Sequence, residues 1–307
     1  MALEWTALSP ADMPAIADLA RRCVAHDGGL QATASPSFLE RRYAAGMAVG
    51  AFADGRLVAC GAVRPVGDAS TATGLVDPGH RGKGLGSGLL DRLIGEARPV
   101  RLIGEARPVR LIGEARPVRL ETESVTPEAH ALFLSRGLRQ TFAEDIYRRD
   151  LSRPLPPEPE PEPELELELE LEVLEWSRDT EGVFYEAYSA SFADRPGFPG
   201  WSREEWVDWL VDDEFLPECS LVARGAGGTA GFVACAEGFL IQIGAVPGWR
   251  RRGLARALAV AALGRMRTRG ATEVFLDVNV NNPASAALFR GLGFEVIARR
   301  ARYEPVD

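Results

Sequence analysis

Val76-Asp77-Pro78-Gly79-His80-Arg81-Gly82-Lys83-Gly84-Leu85-Gly86 is the stretch that decides the fold. An apolar run ends at Val76, a proline follows, and closely spaced glycines open a helix with Leu85, Leu89, Leu90, Leu93 and Ile94 on one face. Exposed backbone N–H groups at a helix N-terminus attract an anion. Small residues let that backbone approach a pyrophosphate closely. Arg81 and Lys83 add charge to the turn. The pattern is neither GxGxxG nor GK[ST], so dinucleotide and nucleoside-triphosphate folds lose ground.

The arrangement recurs at Ala245-Val246-Pro247-Gly248-Trp249-Arg250-Arg251-Arg252-Gly253-Leu254-Ala255, followed by an apolar stripe of Leu254, Leu258, Ala262 and Met266. Working outward, the elements around the two turns agree. Leu3-Glu4-Trp5 is echoed by Leu174-Glu175-Trp176, and Trp5 stands 71 residues before Val76 while Trp176 stands 69 before Ala245. Phe133 to Tyr147 and Phe289 to Tyr303 are both 14 residues. The chain is an internal duplication. In the first half the patterns predict a strand at 3–8, helices from 11 and at 38–43, and a hairpin of 47–53 and 57–63 turning at Asp54-Gly55. A strand ending at Val76, a helix from Gly84, a strand at 118–123, a helix at 127–135 and a strand-like end to 149 follow. The second half predicts helices at 181–192 and 202–211, strands at 220–223, 230–236 and 240–245, and a helix from Gly253. It ends with a strand at 273–280, a helix at 284–290 and a closing hairpin.

Strand-Val-x-Pro-x-x-Arg-x-x-Gly-x-Gly/Ala-helix resembles the acetyl-CoA pyrophosphate motif of the GCN5-related N-acetyltransferase (GNAT) superfamily. A second signature supports it: Asn282-Pro283-Ala284-Ser285-Ala286-Ala287-Leu288-Phe289 through Gly293-Phe294, with a weaker copy from Thr126 to Phe133 and Gly137-Leu138. The tandem layout is similar to that of the mycothiol synthases, and tandem members of other specificities exist. The resemblance implies an α/β fold of two tandem domains, each a mixed, mostly antiparallel sheet flanked by helices. It implies acetyl-CoA as co-substrate, held by Val76, Arg81, Gly82, Lys83, Gly84, Leu85 and Gly86 in the first half. In the second half the corresponding residues are Ala245, Arg250, Arg251, Arg252, Gly253, Leu254, Ala255, Asn282 and Phe289. Val76 and Ala245 stand where the family pairs its backbone with the pantetheine arm.

The departures concern proton transfer. The family often has Tyr as the acid where Phe133 and Phe289 stand, and phenylalanine cannot donate a proton. Many members carry a Glu where Ser70 and Phe239 stand. Asp68 and Glu237 lie two residues further back, and each reads either as a relayed base or as a solvated loop carboxylate. Tyr303 is the alternative acid. Trp201, Trp206, Trp209, Asp208, Asp212, Asp213 and Glu214 read either as a site for an ammonium-bearing acceptor or as a helix with Trp206 and Leu210 inward and its acids solvated. The fuller motifs of the second half point to it as the catalytic one.

Two low-complexity tracts interrupt this order. Arg-Leu-Ile-Gly-Glu-Ala-Arg-Pro-Val occurs three times from 92 to 118, too short a unit for a solenoid and best read as an expansion in a surface loop. The tract 153–171 passes from Pro-Glu to Leu-Glu alternation and reads as a linker, extended and stiff at its start. The expected domains are therefore 1–152 and 172–307. Nine glutamates between Glu158 and Glu175 account for the net charge of −9, so no global basic field recruits nucleic acid. Four scattered cysteines and three histidines show no metal-ligand spacing, and a reducing compartment, the cytoplasm, suits them. Without a signal peptide or a long apolar run, no membrane role is expected. The expected activity is acetyl transfer to a primary amine of a small molecule or peptide. The alternative is a non-catalytic acetyl-CoA sensor or scaffold.

Overall fold

The computed structural model describes residues 4–66, 69–96, 118–155, 171–195 and 198–306. Asp68, the repeats across 97–117 and the linker across 156–170 lie outside the described residues. The fold is mixed α/β with mostly antiparallel strands, in two compact units. One comprises Met1–Ile146, Asn279–Asn281 and Val296–Asp307, the other Tyr147–Val278 and Asn282–Glu295.

In the first unit β1 (Glu4–Ala7), β2 (Met47–Ala53), β3 (Arg56–Val66), β4 (Ala69–Val76) and β5 (Val118–Thr122) lie side by side in that order. The β2–β3 hairpin turns at Asp54 and Gly55, with φ of 50° and 75°, the left-handed pair that a two-residue turn requires. Strands β4 and β5 run parallel, paired among the described residues from Ser70↔Val118 to Ala72↔Leu120. Beyond Ala72 the two part, while β4 stays paired with β3 as far as Ala59↔Val76. Helices α1 (Met13–Asp27) and α2 (Pro36–Leu39, continued by a wide turn through Ala44) cover one region of the sheet. Leu89, Leu90 and Leu93 of α3 (Leu85–Glu96) pack with Leu120, Leu138 and Tyr303 in a separate core cluster. Helix α4 (Pro127–Ser135) follows β5, and β6 (Leu138–Asp150) follows α4.

The second unit repeats the plan with β7 (Glu172–Glu175), α5 (Glu181–Phe192), α6 (Arg203–Leu210), β8 (Leu221–Gly225), β9 (Gly228–Ala236) and β10 (Phe239–Ala245). Helix α7 (Leu254–Thr268), β11 (Glu273–Asn279) and α8 (Pro283–Gly291) complete it. Here too the parallel pair, β10 and β11, meets only at Phe239↔Phe275 before parting.

The chain's end differs from the expected closing hairpin. Residues Glu295–Pro305 form a single strand, β12, paired antiparallel with β5 through Ala301↔Thr122, Arg302↔Glu121 and Tyr303↔Leu120. Alternation explains why: Ala301 and Tyr303 are buried on one face, with no turn residues between to fold the segment back. The two units are therefore not the two linear halves of the sequence.

Candidate functional site

The glycine-rich turns are built alike. Gly82 and Gly84 take φ of 73° and 83°, and Arg251 and Gly253 take 60° and 81° in the second unit. The left-handed backbone ends each turn and starts the helix, and Gly accepts it without strain. A Cβ at Gly82 or Gly84 would meet no protein atom within 4 Å, so these glycines are not required by packing. The first helical bonds are Gly88 N–H to Gly84 O and Ala257 N–H to Gly253 O, both 3.0 Å. The N–H groups of Leu85, Gly86 and Ser87 precede them and point outward, as at any helix start. Such a cradle of open backbone donors fits a pyrophosphate.

The motif arginines do something that the sequence reading missed. Arg81 grips Asp27, at the end of α1, with both terminal nitrogens at 2.6 Å, and its Nε donates to Val76 O at 3.1 Å. Arg250 repeats this on Asp194, at 2.6 and 2.8 Å, with Nε on Ala245 O at 3.2 Å. Each arginine brackets its turn to the first helical region of its unit, and the carbonyls of Val76 and Ala245 are engaged by it. Burial alone would raise the Asp27 carboxyl, but hydrogen bonds from Arg81 and His26 outweigh it and hold it below the usual carboxylate range. The other charges of the turns, Lys83, Arg251 and Arg252, are exposed; Lys83 Nζ donates to Gly79 O at 3.1 Å and Arg252 lies over the Trp249 ring.

Where β4 leaves β5, the first unit encloses a cavity of about 470 Å³. Its wall runs from Gly82, Gly84 and Gly86 along Thr73–Val76 of β4. The N–H and C=O groups of β4 on the side that parts from β5 form an open edge there, apart from Val76 O, which Arg81 engages. The wall ends in a charged region of Arg42, Glu121 and Glu123, beside Phe38 and Tyr43. Arg42 bonds Glu121, and its other terminal nitrogen bonds Glu123 at 2.6 Å. Phe133 lies in the wall. Behind it Tyr303 is fully buried, its ring edge against Phe133 at 4.8 Å and its hydroxyl 2.6 Å from His130 Nδ1. Burial pushes the Tyr303 phenol above its ordinary value. Tyr303, the alternative acid, thus belongs to the first unit.

In the second unit the region between α5, α6 and β10 is filled with aromatic side chains. Trp206 is fully buried, stacked on Tyr188 at 4.6 Å, and its Nε1 donates to Gln242 of β10 at 3.1 Å. Trp176, Phe184, Phe215 and Phe232 belong to the same cluster. Asp208, Asp212, Asp213 and Glu214 are exposed, so these acids and Trp206 do not converge. Glu237 is exposed at the β9–β10 turn. Asn282 caps α8 by accepting from Ser285 N–H at 3.1 Å, and Phe289 is core, against Phe294 at 5.4 Å. Leu85 and Leu254 are buried in their units' cores. Sequence reasoning overlooked Asp27, Asp194, Arg42, Glu121 and Glu123. An acid closing the first helical region of each half was a detectable signal for the first two.

Two residue ranges, 14–107 and 175–294, match the model of the acetyltransferase (GNAT) family. The chain belongs to the GNAT acetyltransferase family. This GNAT chain is 30% identical to a mycothiol acetyltransferase of Thermobispora bispora over 232 residues, covering 72% of this chain and 70% of that one. Its fold is similar to a GCN5-related N-acetyltransferase from Sphaerobacter thermophilus, with a TM-score of 0.71, 24% identity and coverage of 99% and 97%. It is also similar to a tandem GNAT protein from the clavulanic acid biosynthesis pathway, with a TM-score of 0.60, 19% identity and full coverage of both chains. Among the described residues no helix is long and apolar enough to cross a membrane.

Proposed function

We propose that this GNAT chain transfers the acetyl group of acetyl-CoA to the primary amine of a small molecule, and that the first unit carries the reaction. One observation supports this most: the cavity is continuous from the Gly82–Gly86 turn, along the open edge of β4, to the charged residues Arg42, Glu121 and Glu123. Acetyl-CoA supplies the acyl group as a thioester. The turn's N–H groups bind the pyrophosphate, with Lys83 at its rim. The edge of Thr73–Val76 orients the pantetheine arm, and the charged end positions the amine. Holding the two together contributes through proximity. The amine nitrogen forms the bond to the carbonyl carbon, the C–S bond breaks, and its electron pair leaves with sulfur. The proton lost by the amine reaches the thiolate through water, because Phe133 has none to donate.

The reading for the second unit is the non-catalytic one. Its turn and bracket are intact, but Trp206 and Tyr188, stacked in the core, fill the space between α5, α6 and β10. It holds acetyl-CoA without turning it over. The test is thiol release from acetyl-CoA with a panel of small amines, on the full chain. Saturable release lost in Glu123→Gln is the expected result. Release that survives every change to the first-unit cavity would place the reaction elsewhere.

A further inference from the structure

The charged end of the first-unit cavity constrains what amine can enter it, given the transferase reading above. Three guanidiniums converge on Glu121: Arg42 directly, Arg64 at 3.4 Å and Arg302 at 3.6 Å. Glu123 has Arg42 at 2.6 Å. Among the described residues the group therefore holds three cationic side chains against two carboxylates, one positive charge in excess. Its donors also outnumber its acceptors. Arg64 Nε and Arg302 Nε are buried and find no acceptor among the described residues. Burial and the nearby charge of Arg42 both lower the Arg64 pKa from its usual value, the direction expected where positive charge is under-compensated.

Of these groups Arg42, Glu121 and Glu123 form the cavity wall. An ammonium approaching Glu123 competes with Arg42 for it. A plain cationic amine would leave Arg42 without that partner in a cluster that is already positive. An amine bearing its own anion avoids this, because it inserts into the Arg42–Glu123 pair. Its anion takes the guanidinium and its ammonium takes the carboxylate, so each charge keeps a partner. A guanidinium's planar fork suits a carboxylate or phosphate in this role.

We propose that the acceptor taken by the first unit is an amine carrying its own anionic group, a carboxylate or a phosphate ester, which seats across the Arg42–Glu123 ion pair. Plain polyamines are disfavoured by the same charge count.

Matched pairs decide it. Glycine, alanine and β-alanine are compared with their amides, O-phosphoethanolamine with ethanolamine, and spermidine serves as the polycation. Thiol release gives kcat/KM, and calorimetric titration of each compound into the full chain, with and without CoA, gives affinity independently of turnover. The anionic member of a pair should lead by about tenfold, the scale of one charge-assisted contact. The carboxylate and phosphate arms show which anion is read. In Arg42→Gln the lead should fall to about one while CoA affinity is unchanged. Should that variant misfold, Arg302→Gln should shrink the lead in the same direction. Equal or better binding and turnover by the amides or spermidine overturns the proposal and leaves the transferase reading standing. Turnover of no amine overturns the transferase reading, and the titrations then decide the proposal, with no preference for the anionic members counting against it.

Discussion

Two aspartates with the same partner type are expected to differ in what they contribute. Asp27 is 8% exposed in its side chain and Asp194 57% exposed, yet each holds the motif arginine of its unit. A largely buried pair resists loss of one partner, whereas exposed pairs contribute little. Asp27→Asn should destabilise the first unit by about 1–3 kcal/mol, the cost of leaving a shielded donor poorly satisfied. Asp194→Asn should leave the melting temperature unchanged. The pH dependence has a definite sign. The folded carboxyl of Asp27 lies below its unfolded value, so its contribution is present above about pH 4 and is lost as pH falls through the folded pKa. The gap in melting temperature between wild type and Asp27→Asn should therefore narrow below about pH 4, and a constant gap would show that the carboxylate charge is not what matters. Phe133 and Tyr303 give a second prediction. With a phenylalanine at the wall and the nearby phenol raised by burial, no group should impose an alkaline fall on kcat. Activity should rise as the acceptor amine deprotonates and stay flat to about pH 10. A fall below that pH in folded protein would assign the acid to another residue, and Phe133→Tyr should create such a fall.

At the scale of elements, the turn is where sequence spoke most clearly. Gly84 and Gly55 both have positive φ, 83° and 75°, and a Cβ at either would touch no protein atom within 4 Å. Alanine at each position should thus carry the same backbone cost, about 1 kcal/mol. Only Gly84 lines the cavity. Gly84→Ala should weaken CoA binding by about tenfold or more in calorimetry, while Gly55→Ala should leave it alone and serve as the strain control. Equal affinities in the two variants would remove the turn from the binding site. The turns, the hairpin at Asp54-Gly55 and the helix stripes were legible because Gly, Pro and apolar periodicity act over a few residues. The acceptor end was not, and of the bracket only the acid closing each half's first helical region was, not its pairing with the motif arginine. Arg81 meets Asp27 across 54 positions, Arg250 meets Asp194 across 56, and Arg42 meets Glu121 across 79. Ion pairs between distant segments leave no local spacing to read. The second unit's tryptophan helix was legible as either core or binding site, since burial on one face and binding on it use the same residues, and the structure has the inward reading, with Trp206 and Leu210 buried and Trp209 and the acids exposed.

For the whole molecule, the equal spacing of Phe133 to Tyr147 and Phe289 to Tyr303 reads as two self-contained halves. A local spacing cannot say which strand a segment joins, because pairing partners are chosen over long range. In the structure Tyr303 belongs to the unit of Phe133, and Tyr147 to the unit of Phe289. The first unit depends on this exchange. Val118–Thr122 has β12 as its antiparallel partner, and the core of Leu89, Leu93, Leu120 and Leu138 is completed by Tyr303. Gly28 shows how close the segment lies, for a Cβ there would sit 2.1 Å from Ile297 O. Removing the fully buried ring in Tyr303→Ala should cost the first unit about 3–5 kcal/mol, although the residue is encoded in the second half. A fragment of residues 1–152 lacks β12 altogether. It leaves the backbone groups of β5 open along one edge and the place of Tyr303 empty, a combination that favours aggregation over folding. Expressed alone, that fragment should give no cooperative melt and no CoA binding. Supplying residues 172–307 in trans should restore both, since the missing strand then returns. A well-dispersed amide spectrum and a sharp melt from 1–152 alone would show that the first half closes its own sheet and that the exchange is dispensable.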